Sequence, residues 1–471
     1  MVAHVSRFKW QIRIFVALTF SLLFVLSSTV AAFAASLVQL STDPYTNTSS
    51  QHQTEVEPDT YSFGSTIVSV FQAGRFSGGG SSNNGWATST NNGSTWTNGF
   101  LPDTTIYATP AGPYAAVSDP TVAYDAKHNT WLASSLAINS SGTGVAVIVN
   151  LSTNGGLTWG NPVVVHAATG SQFLDKDWIV CDDTSSSSFY GHCYAEWDDN
   201  SAGNLIHMST STDGGNTWGA QQNTANNATG IGGQPLVQPN GTVVVPIDNA
   251  NETSLLSFTS TNGGTSWGST VTVTSIRFHT DPGGIRSGPL PTAEIDGSGK
   301  VYVVWEDCRF ETRCKTNDLV MTTSTNGTTW SAVARIPSDP VGSTVDHFIP
   351  GLAVDKSTSG STAHLVVAFY YYPNVSCTSS TCQLDVGYSS STNGGSTWSA
   401  RSQLAGPITL SWLANTTQGR MVGDYISASF AGGSAFPIFM NATAPTGSTF
   451  HEAAFTVTPG LAARSGRNTS T

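Results

Sequence analysis

Charged side chains are scarce in this chain, and they recur beside short apolar segments where they could do chemistry. Asp, Glu, Lys and Arg make up 10% of the 471 residues. Carboxyl groups in such places can act as general acids or bases, and a guanidinium can grip a carboxylate with two hydrogen bonds. The group that precedes apolar segments contains Asp119, Asp175, Asp177, Arg286, Asp346, His347, Arg420, Asp424 and Tyr425. The group that follows apolar segments contains Arg75, Asp198, Asp199, Asp248, Glu306, Asp307, Arg309, Tyr370, Tyr371 and Tyr372. The competing interpretation is that exposed loops simply carry the charges of the protein.

A short repeat organises the chain around these residues. Six boxes of the form Ser-Thr-Asn/Asp-Gly-Gly-x-Thr/Ser-Trp, with small variations, end at Trp96, Trp159, Trp218, Trp267, Trp330 and Trp398. The spacing of 49 to 68 residues between these tryptophans is typical of a propeller or solenoid, with one supersecondary unit per repeat. Asn or Asp before Gly-Gly favours a tight hairpin turn, because these residues tolerate positive φ.

Upstream of each box, a second pattern predicts two further strands. It begins near Glu57, Asp119, Asp177, Gln234, Pro291, Pro350 and Asp424, the last of which has no box after it. We therefore predict four strands per unit, with the box between the third and fourth strands. In such a unit, the start of the first strand and the end of the second share one face. The charged groups named above would meet on that face, which we call the mouth.

Composition supports an all-β protein and excludes some functions. The chain contains 47 Gly, 21 Pro and 13 Trp, which is typical of turn-rich β-proteins. The formal net charge is −12, and a nucleic-acid partner is excluded because no basic stripe is present to bind phosphates.

The N-terminus predicts export. Residues 1–34 contain Arg7, Lys9 and Arg13, then a long apolar run and the small-x-small pattern Ala32-Phe33-Ala34. We interpret them as a signal peptide cleaved near Ala34, with an uncleaved anchor as the alternative. Residues 35–54 are expected to be a Ser/Thr-rich linker and residues 459–471 a polar tail. No stable membrane span is expected after removal of the signal.

Six cysteines follow the signal as three close pairs, namely Cys181 with Cys193, Cys308 with Cys314, and Cys377 with Cys382. Local disulfides are the simplest pairing in an exported chain, and zinc binding is the competing interpretation. The spacing does not match zinc motifs, so we expect neither a metal nor a cofactor.

The boxes resemble the Asp-boxes, or bacterial neuraminidase repeats (BNR), of the sialidase superfamily, and the resemblance covers residues 55–458. It implies an all-β propeller of six or seven four-stranded blades, with Asp-box turns, around a central channel. In this family three arginines hold the substrate carboxylate, a Tyr activated by a Glu is the nucleophile, and an Asp is the acid/base. The resemblance implies Tyr425, Glu294 and Asp177 as catalytic residues. The expected substrate-binding residues are Arg286, Arg309, Arg420, Arg75, Asp119 and Tyr371, with Asp119 as the alternative acid.

The sequence thus predicts a secreted or cell-surface, monomeric glycoside hydrolase that acts on extracellular glycans or glycoconjugates at the mouth. The alternative is a non-catalytic propeller that binds glycans or proteins. The chain departs from the family in one respect, since no Phe/Tyr-Arg-Ile-Pro motif precedes the first box.

Overall fold

The computed structural model describes residues 35–466, which are built almost entirely from antiparallel β-sheet. The predicted signal peptide lies outside these residues. The only helical elements within them are four single 3-10 turns, at Asn200–Ala202, Pro282–Gly284, Gly360–Thr362 and Leu410–Trp412. In this range, no helix has the length and apolar character needed to cross a bilayer.

The strands form seven consecutive antiparallel sheets and one hairpin, and the first two of these sheets are joined into a continuous eight-stranded sheet where Ser81 pairs with Val117. Strand β1 (Ser36–Gln39) comes first in the chain. The first sheet contains β2 (Glu55–Phe63), β3 (Thr66–Arg75), β4 (Ser81–Ser89) and β5 (Thr97–Phe100). The second contains β6 (Ala116–Asp125), β7 (Thr130–Ile138), β8 (Gly144–Ser152) and β9 (Val163–Ala167). The third contains β10 (Leu174–Cys181), β11 (Cys193–Asp199), β12 (Leu205–Ser211) and β13 (Gln222–Asn223).

The fourth sheet contains β14 (Gly230–Ile231), β15 (Leu236–Val237), β16 (Val243–Asn249), β17 (Ser254–Ser260) and β18 (Val271–Ser275). The fifth contains β19 (Thr292–Ile295), β20 (Val301–Asp307), β21 (Asp318–Ser324) and β22 (Ala334–Arg335). The sixth contains β23 (Asp346–Val354), β24 (Leu365–Tyr372), β25 (Gln383–Ser391) and β26 (Ser402–Thr409). A hairpin of β27 (Ala414–Thr416) and β28 (Gly419–Met421) precedes the seventh sheet, which contains β29 (Ser427–Ala431), β30 (Ser434–Thr446), β31 (Thr449–Thr458) and β1.

The seventh sheet combines the two ends of the described chain. Strand β1 pairs with β31, with Ser36 opposite Thr458, so a segment from the start of the described residues completes the last sheet. The segment 35–54, predicted as a linker, therefore contributes an outer strand. The predicted tail also packs on the sheets, because Leu461 and Ala435 exchange backbone hydrogen bonds of 2.8 Å.

The hydrophobic core is divided into layers between neighbouring sheets. One layer joins Tyr194 and Met208 of the third sheet to Val243, Val245 and Phe258 of the fourth, and all five are buried. The β-branched and aromatic residues of these strands suit such packing, since both faces of each sheet are covered.

The first strands of the sheets contact one another in chain order. Strand β2 contacts β6, and the series continues through β10, β15, β19 and β23 to β29, which contacts β2 in turn. Each of these strands begins a meander, so their N-terminal ends lie together at one end of the arrangement.

The six boxes lie between the last two strands of each of the first six sheets, as the local turn chemistry predicts. In the third sheet, the Gly215 N–H donates to Ser211 Oγ at 3.0 Å and the Thr217 N–H donates to Asp213 Oδ1 at 2.9 Å. Gly215 has a φ of 85°, and a Cβ there would lie 2.6 Å from Leu132 of the second sheet. Glycine is therefore required both by the turn and by the close approach of the neighbouring sheet.

The three predicted disulfides are confirmed, as Cys181–Cys193, Cys308–Cys314 and Cys377–Cys382. Cys181 and Cys193 face each other across β10 and β11. The other two bridges close short loops.

Candidate functional site

Four of the first strands carry a β-bulge at corresponding positions. The bulge residues with positive φ are Glu57, Asp119, Lys176 and Ile349, at 55°, 46°, 50° and 49°. Each such conformation costs a non-glycine residue roughly 1–3 kcal/mol, and bulges re-aim side chains. Three of the four residues are charged, and the bulges direct those three side chains to one place.

Lys176 is the centre of this ion cluster. Its Nζ lies 2.6 Å from Asp424 Oδ2, 3.3 Å from Asp119 Oδ1 and 3.9 Å from Glu57 Oε1. The Lys176 side chain is 9% exposed. The cluster lies at the mouth, because Glu57, Asp119 and Lys176 belong to the N-terminal halves of their strands and Asp424 immediately precedes β29.

Arg286 completes the cluster from the loop before β19. Its Nε donates to Asp424 Oδ1 at 2.7 Å and its Nη2 donates to Asp424 Oδ2, which makes the pair bidentate. Its backbone N–H also donates to Arg420 O at 2.6 Å, which fixes the loop. The side chain of Arg286 is 23% exposed, the largest fraction in the cluster, so it is the cation that solvent or a ligand reaches most easily.

The electrostatics of the cluster separate its carboxyl groups into two kinds. Burial, then the nearby Asp119, raises the pKa of Glu57 to about 7. Burial also acts on Asp424, but Arg286 and Lys176 outweigh it and hold the pKa of that carboxyl well below its usual range. Burial and Asp119 raise the pKa of Asp175 to about 6. A proton donor and an ionised carboxylate thus lie side by side at neutral pH, a combination that suits acid/base chemistry.

The predicted catalytic residues lie in three different surroundings. Asp177 is buried and accepts a hydrogen bond from Ser134 Oγ of the second sheet, and burial raises its pKa well above the usual range. The hydroxyl of Tyr425 donates to Pro120 O at 3.1 Å, and its ring contacts Trp178. Glu294 lies on β19, where it makes no hydrogen bond to Tyr425, and its nearest cation is Lys356.

The predicted arginines do not share one ligand position. Arg309 pairs with Asp307, with Nε 2.9 Å from Oδ1 and Nη2 2.7 Å from Oδ2. Arg420 donates from Nη1 to Leu413 O at 2.8 Å, away from the Arg286 pair. The structure therefore does not assemble Arg286, Arg309 and Arg420 into a group around one carboxylate.

Two further predicted binding residues are buried. Arg75 is 2% exposed and donates from Nη1 to Gly80 O at 2.6 Å. Tyr371 is 1% exposed, and the Arg401 guanidinium lies 3.9 Å from the centre of its ring. Neither side chain faces open solvent, whereas Asp119 lies in the ion cluster as expected for a mouth residue.

Lys176 and Glu57 are the members that sequence reasoning missed. Lys176 stands between Asp175 and Asp177, and a lone cation between two acids on a first strand was the available signal. Glu57 precedes Pro58 as Asp119 precedes Pro120, and the two occupy equivalent bulges.

A second acidic group lies at the same end of the sheets. Asp281, before β19, and Asp346, at the start of β23, accept hydrogen bonds from Ser287 Oγ and from the Asn317 N–H, each at 2.6 Å. Burial, then Asp346, raises the pKa of Asp281 well above its usual range. In residues 35–466, no group of three or more His, Cys, Asp and Glu side chains is arranged to hold a metal ion.

A family model described as a BNR repeat-like domain matches residues 139–348. This segment is similar to BNR repeats. The resemblance to the sialidase superfamily, predicted from the six boxes, is confirmed by this match. Among curated proteins, none matches the chain by sequence.

Several solved structures are similar to this chain. A protein of unknown function from Dyadobacter fermentans is 16% identical, with a TM-score of 0.46 over 76% of this chain and 98% of that one. The NanB sialidase from Streptococcus pneumoniae is 14% identical, with a TM-score of 0.44 over 89% of this chain and 70% of that one. The α-L-arabinofuranosidase Arb93A from Fusarium graminearum is 14% identical, with a TM-score of 0.44 over 74% of this chain and 97% of that one.

Proposed function

We propose that this chain is a secreted, sialidase-like glycoside hydrolase that acts on extracellular glycans at the mouth of a central channel. The observation that carries the proposal is the ion cluster. Glu57 and Asp424 each have a carboxylate oxygen within 4 Å of Lys176 Nζ, and their pKa values are shifted in opposite directions. Glycosidases use two carboxyl groups roughly 5–10 Å apart, one protonated and one ionised.

In the proposed reaction, Glu57 donates its proton to the oxygen of the leaving group. Asp424, ionised beside Arg286 and Lys176, bonds to the anomeric carbon as the bond to the leaving group breaks, and a water molecule that gives its proton to Glu57 then hydrolyses the glycosyl ester. Arg286, the most exposed cation of the cluster, positions an acidic or hydroxyl group of the substrate. This assignment favours a carboxyl-pair mechanism over the Tyr–Glu mechanism, because Tyr425 and Glu294 have separate partners.

The scaffold of the proposal is a propeller of seven four-stranded blades. The seven sheets, the cyclic series of contacts between first strands, and the closure of the last sheet by β1 support it. The six boxes would be Asp-box turns at the periphery. A ring of this kind has a central channel, and the first strands line it.

Secretion and the class of substrate belong to the same proposal. Three disulfides suit an oxidising compartment, and the predicted signal peptide agrees with that location. With a net charge of −12, an extracellular glycan fits better than a nucleic acid. We take the active protein to be a monomer.

The second candidate is a non-catalytic propeller that binds glycans or proteins. One observation favours it: the charged groups of the cluster already have partners within the protein, since Arg286 and Lys176 both donate hydrogen bonds to Asp424. Such a network can serve stability alone.

Hydrolysis of a panel of aryl glycosides, including a fluorogenic sialic acid glycoside, distinguishes the two candidates. Glu57→Gln replaces a carboxyl group by an isosteric amide and is expected to lower kcat by about 10²–10⁴. Glu55→Gln is the matched control, because Glu55 is equally buried on the same strand but accepts from the Ala454 N–H, outside the cluster. Tyr425→Phe tests the sialidase mechanism in parallel. Absence of turnover by the folded protein on every glycoside would refute the hydrolase proposal in favour of binding.

A further inference from the structure

A cavity of about 650 Å³ lies in the middle of the sheets, towards the end opposite the ion cluster. The second halves of the first strands and the turns that follow them line it, with contributions from all seven sheets. The volume is within the range of small-molecule sites, about 300–1,000 Å³. The mouth cluster contributes none of its five charged side chains to this lining.

Carboxyl groups outnumber cations in the lining of the cavity. Asp59, Asp183, Glu294, Asp296 and Asp355 line it with a single ammonium group, that of Lys356. Backbone N–H groups donate to four of the five carboxyl groups, those of Asp59, Asp183, Asp296 and Asp355. Burial raises the pKa of Asp59 and of Asp183 to about 7 and that of Glu294 above its usual range, and a bound cation would favour the ionised form of these groups.

Lys356 and Asp183 are joined by a tyrosine. The Lys356 Nζ donates to Tyr61 Oη at 3.0 Å and lies 4.5 Å from the centre of the Tyr61 ring. The Tyr61 hydroxyl in turn donates to Asp183 Oδ2 at 2.9 Å. This chain of hydrogen bonds fixes the position of the lysine, whose charge lowers the pKa of Glu294 against the opposing effect of burial.

Polar groups with unused hydrogen-bonding capacity line the same cavity. Gln234 is 6% exposed, and its Oε1 accepts from the Ala293 N–H at 2.8 Å. Its Nε2 makes no hydrogen bond within residues 35–466, although a buried amide normally uses both ends. The Trp178 and Phe430 rings and the hydroxyls of Thr184 and Ser429 complete a lining that can pack against a sugar ring and bond its hydroxyls.

We propose that this cavity binds a small polyhydroxylated molecule that carries one protonated amine, such as an amino sugar. The ammonium group would pair with Glu294 and Asp59, the ring would pack on the aromatic side chains, and Gln234 Nε2 would donate to a ring hydroxyl. A neutral sugar of the same size would form no ion pair with these carboxyl groups. The site is distinct from the proposed hydrolase site at the mouth, and neither depends on the other.

Calorimetric titration of the purified protein with D-glucosamine tests the proposal, with D-glucose and N-acetyl-D-glucosamine as neutral controls. Glucosamine is expected to bind, and the two controls to bind at least about fivefold more weakly. Equal affinity for all three sugars, or no binding of glucosamine at millimolar concentrations, would overturn the proposal.

Two charge variants locate the site. Glu294→Gln is expected to weaken glucosamine binding at least about fivefold, whereas Lys356→Gln is expected to tighten it because a competing cation is removed. The second result is a gain, which a misfolded variant could not produce. Glu55→Gln serves as the unaffected control. Binding that is lost in Glu57→Gln but kept in Glu294→Gln would place the amine at the mouth and overturn the assignment.

Discussion

Lys176 Nζ contacts Asp424 Oδ2 at 2.6 Å, although the two residues are separated by 248 positions in the chain. The contact links the third sheet to the loop before the seventh. Through Arg286, Asp119 and Glu57, the same cluster reaches the fifth, second and first sheets. Few side chains therefore tie most of the first strands together at one end.

Removing the central cation is expected to be strongly destabilising. Lys176→Met leaves Asp119, Glu57 and Asp424 buried without that partner, and loss of one member of a buried pair costs about 3–5 kcal/mol. Urea denaturation measures the change in the free energy of unfolding. Lys176→Arg keeps the charge and should lose less. If Lys176→Met is as stable as the parent, the cluster does not hold the sheets together.

The proposed acid gives a pH dependence with a defined sign. Burial and Asp119 raise the pKa of Glu57 to about 7, so the proton needed for the leaving group is present below pH 7 and lost above it. The value of kcat/KM is expected to fall on the alkaline side with an apparent pKa near 7. A profile that is flat from pH 5 to 9 would remove Glu57 from the role of acid.

Stability is also expected to fall as pH rises from about 4.5 to 8. Burial raises the pKa of Glu55 to about 8 and that of Asp183 to about 7. The native state therefore holds protons that the unfolded chain has already released, which makes the native state less favourable as pH increases. We expect the Tm at pH 5 to exceed that at pH 8 by several degrees. Glu55→Gln should reduce this difference, and an unchanged difference would show that Glu55 is not the cause.

Gly215, inside a box, and Gly203, outside the boxes, offer a matched pair of glycine substitutions. Gly215→Ala places a Cβ 2.6 Å from Leu132 at a φ of 85°, and we expect a loss of about 2–4 kcal/mol from the combined strain and clash. Gly203→Ala has a similar φ of 73° but no atom within 4 Å of the new Cβ, so it should cost only about 1 kcal/mol. Equal losses would mean that contact with the second sheet contributes little.

The disulfide between Cys181 and Cys193 lies beside the cavity, because the loop that it closes contains Asp183 and Thr184. Replacement of both cysteines by Ala is expected to cost about 2–3 kcal/mol, measured by thermal unfolding. The bridge between Cys377 and Cys382 closes a shorter loop, so replacement of these two cysteines by Ala should lower the free energy of unfolding by less. A larger loss at the shorter loop would contradict loop closure as the main effect.

The sequence was sufficient to predict the repeating units, and the reason is local. Turn chemistry at Asn-Gly-Gly and the alternation of apolar residues act within a few positions, so the strand starts near Asp119 and Pro350 agree with β6 and β23. Cysteine pairing was similarly local. The contribution of residues 36–39 to the last sheet depends on a partner at the far end of the chain, which explains why the segment resembled a linker.

The details of the mouth could not be predicted, because side-chain direction there depends on the bulges. A single extra residue in β10 changes which face Lys176 and Asp177 occupy. Lys176 consequently points to Asp424, and Asp177 points to Ser134. The directions of two arginine side chains depend on their nearest acceptors. Arg309 donates to Asp307 and Arg420 donates to Leu413 O, and position in the chain alone does not reveal either partner.

The pairing of β1 with β31 also constrains the order in which the protein can be assembled. The first six sheets are each built from consecutive residues, so they can form as the chain is synthesised. The seventh requires a segment made first and a segment made last. Until then, β1 exposes unpaired backbone groups along its edge. Incomplete translation products should therefore be recognisable to chaperones and proteases by this open edge, and only full-length molecules would escape that surveillance.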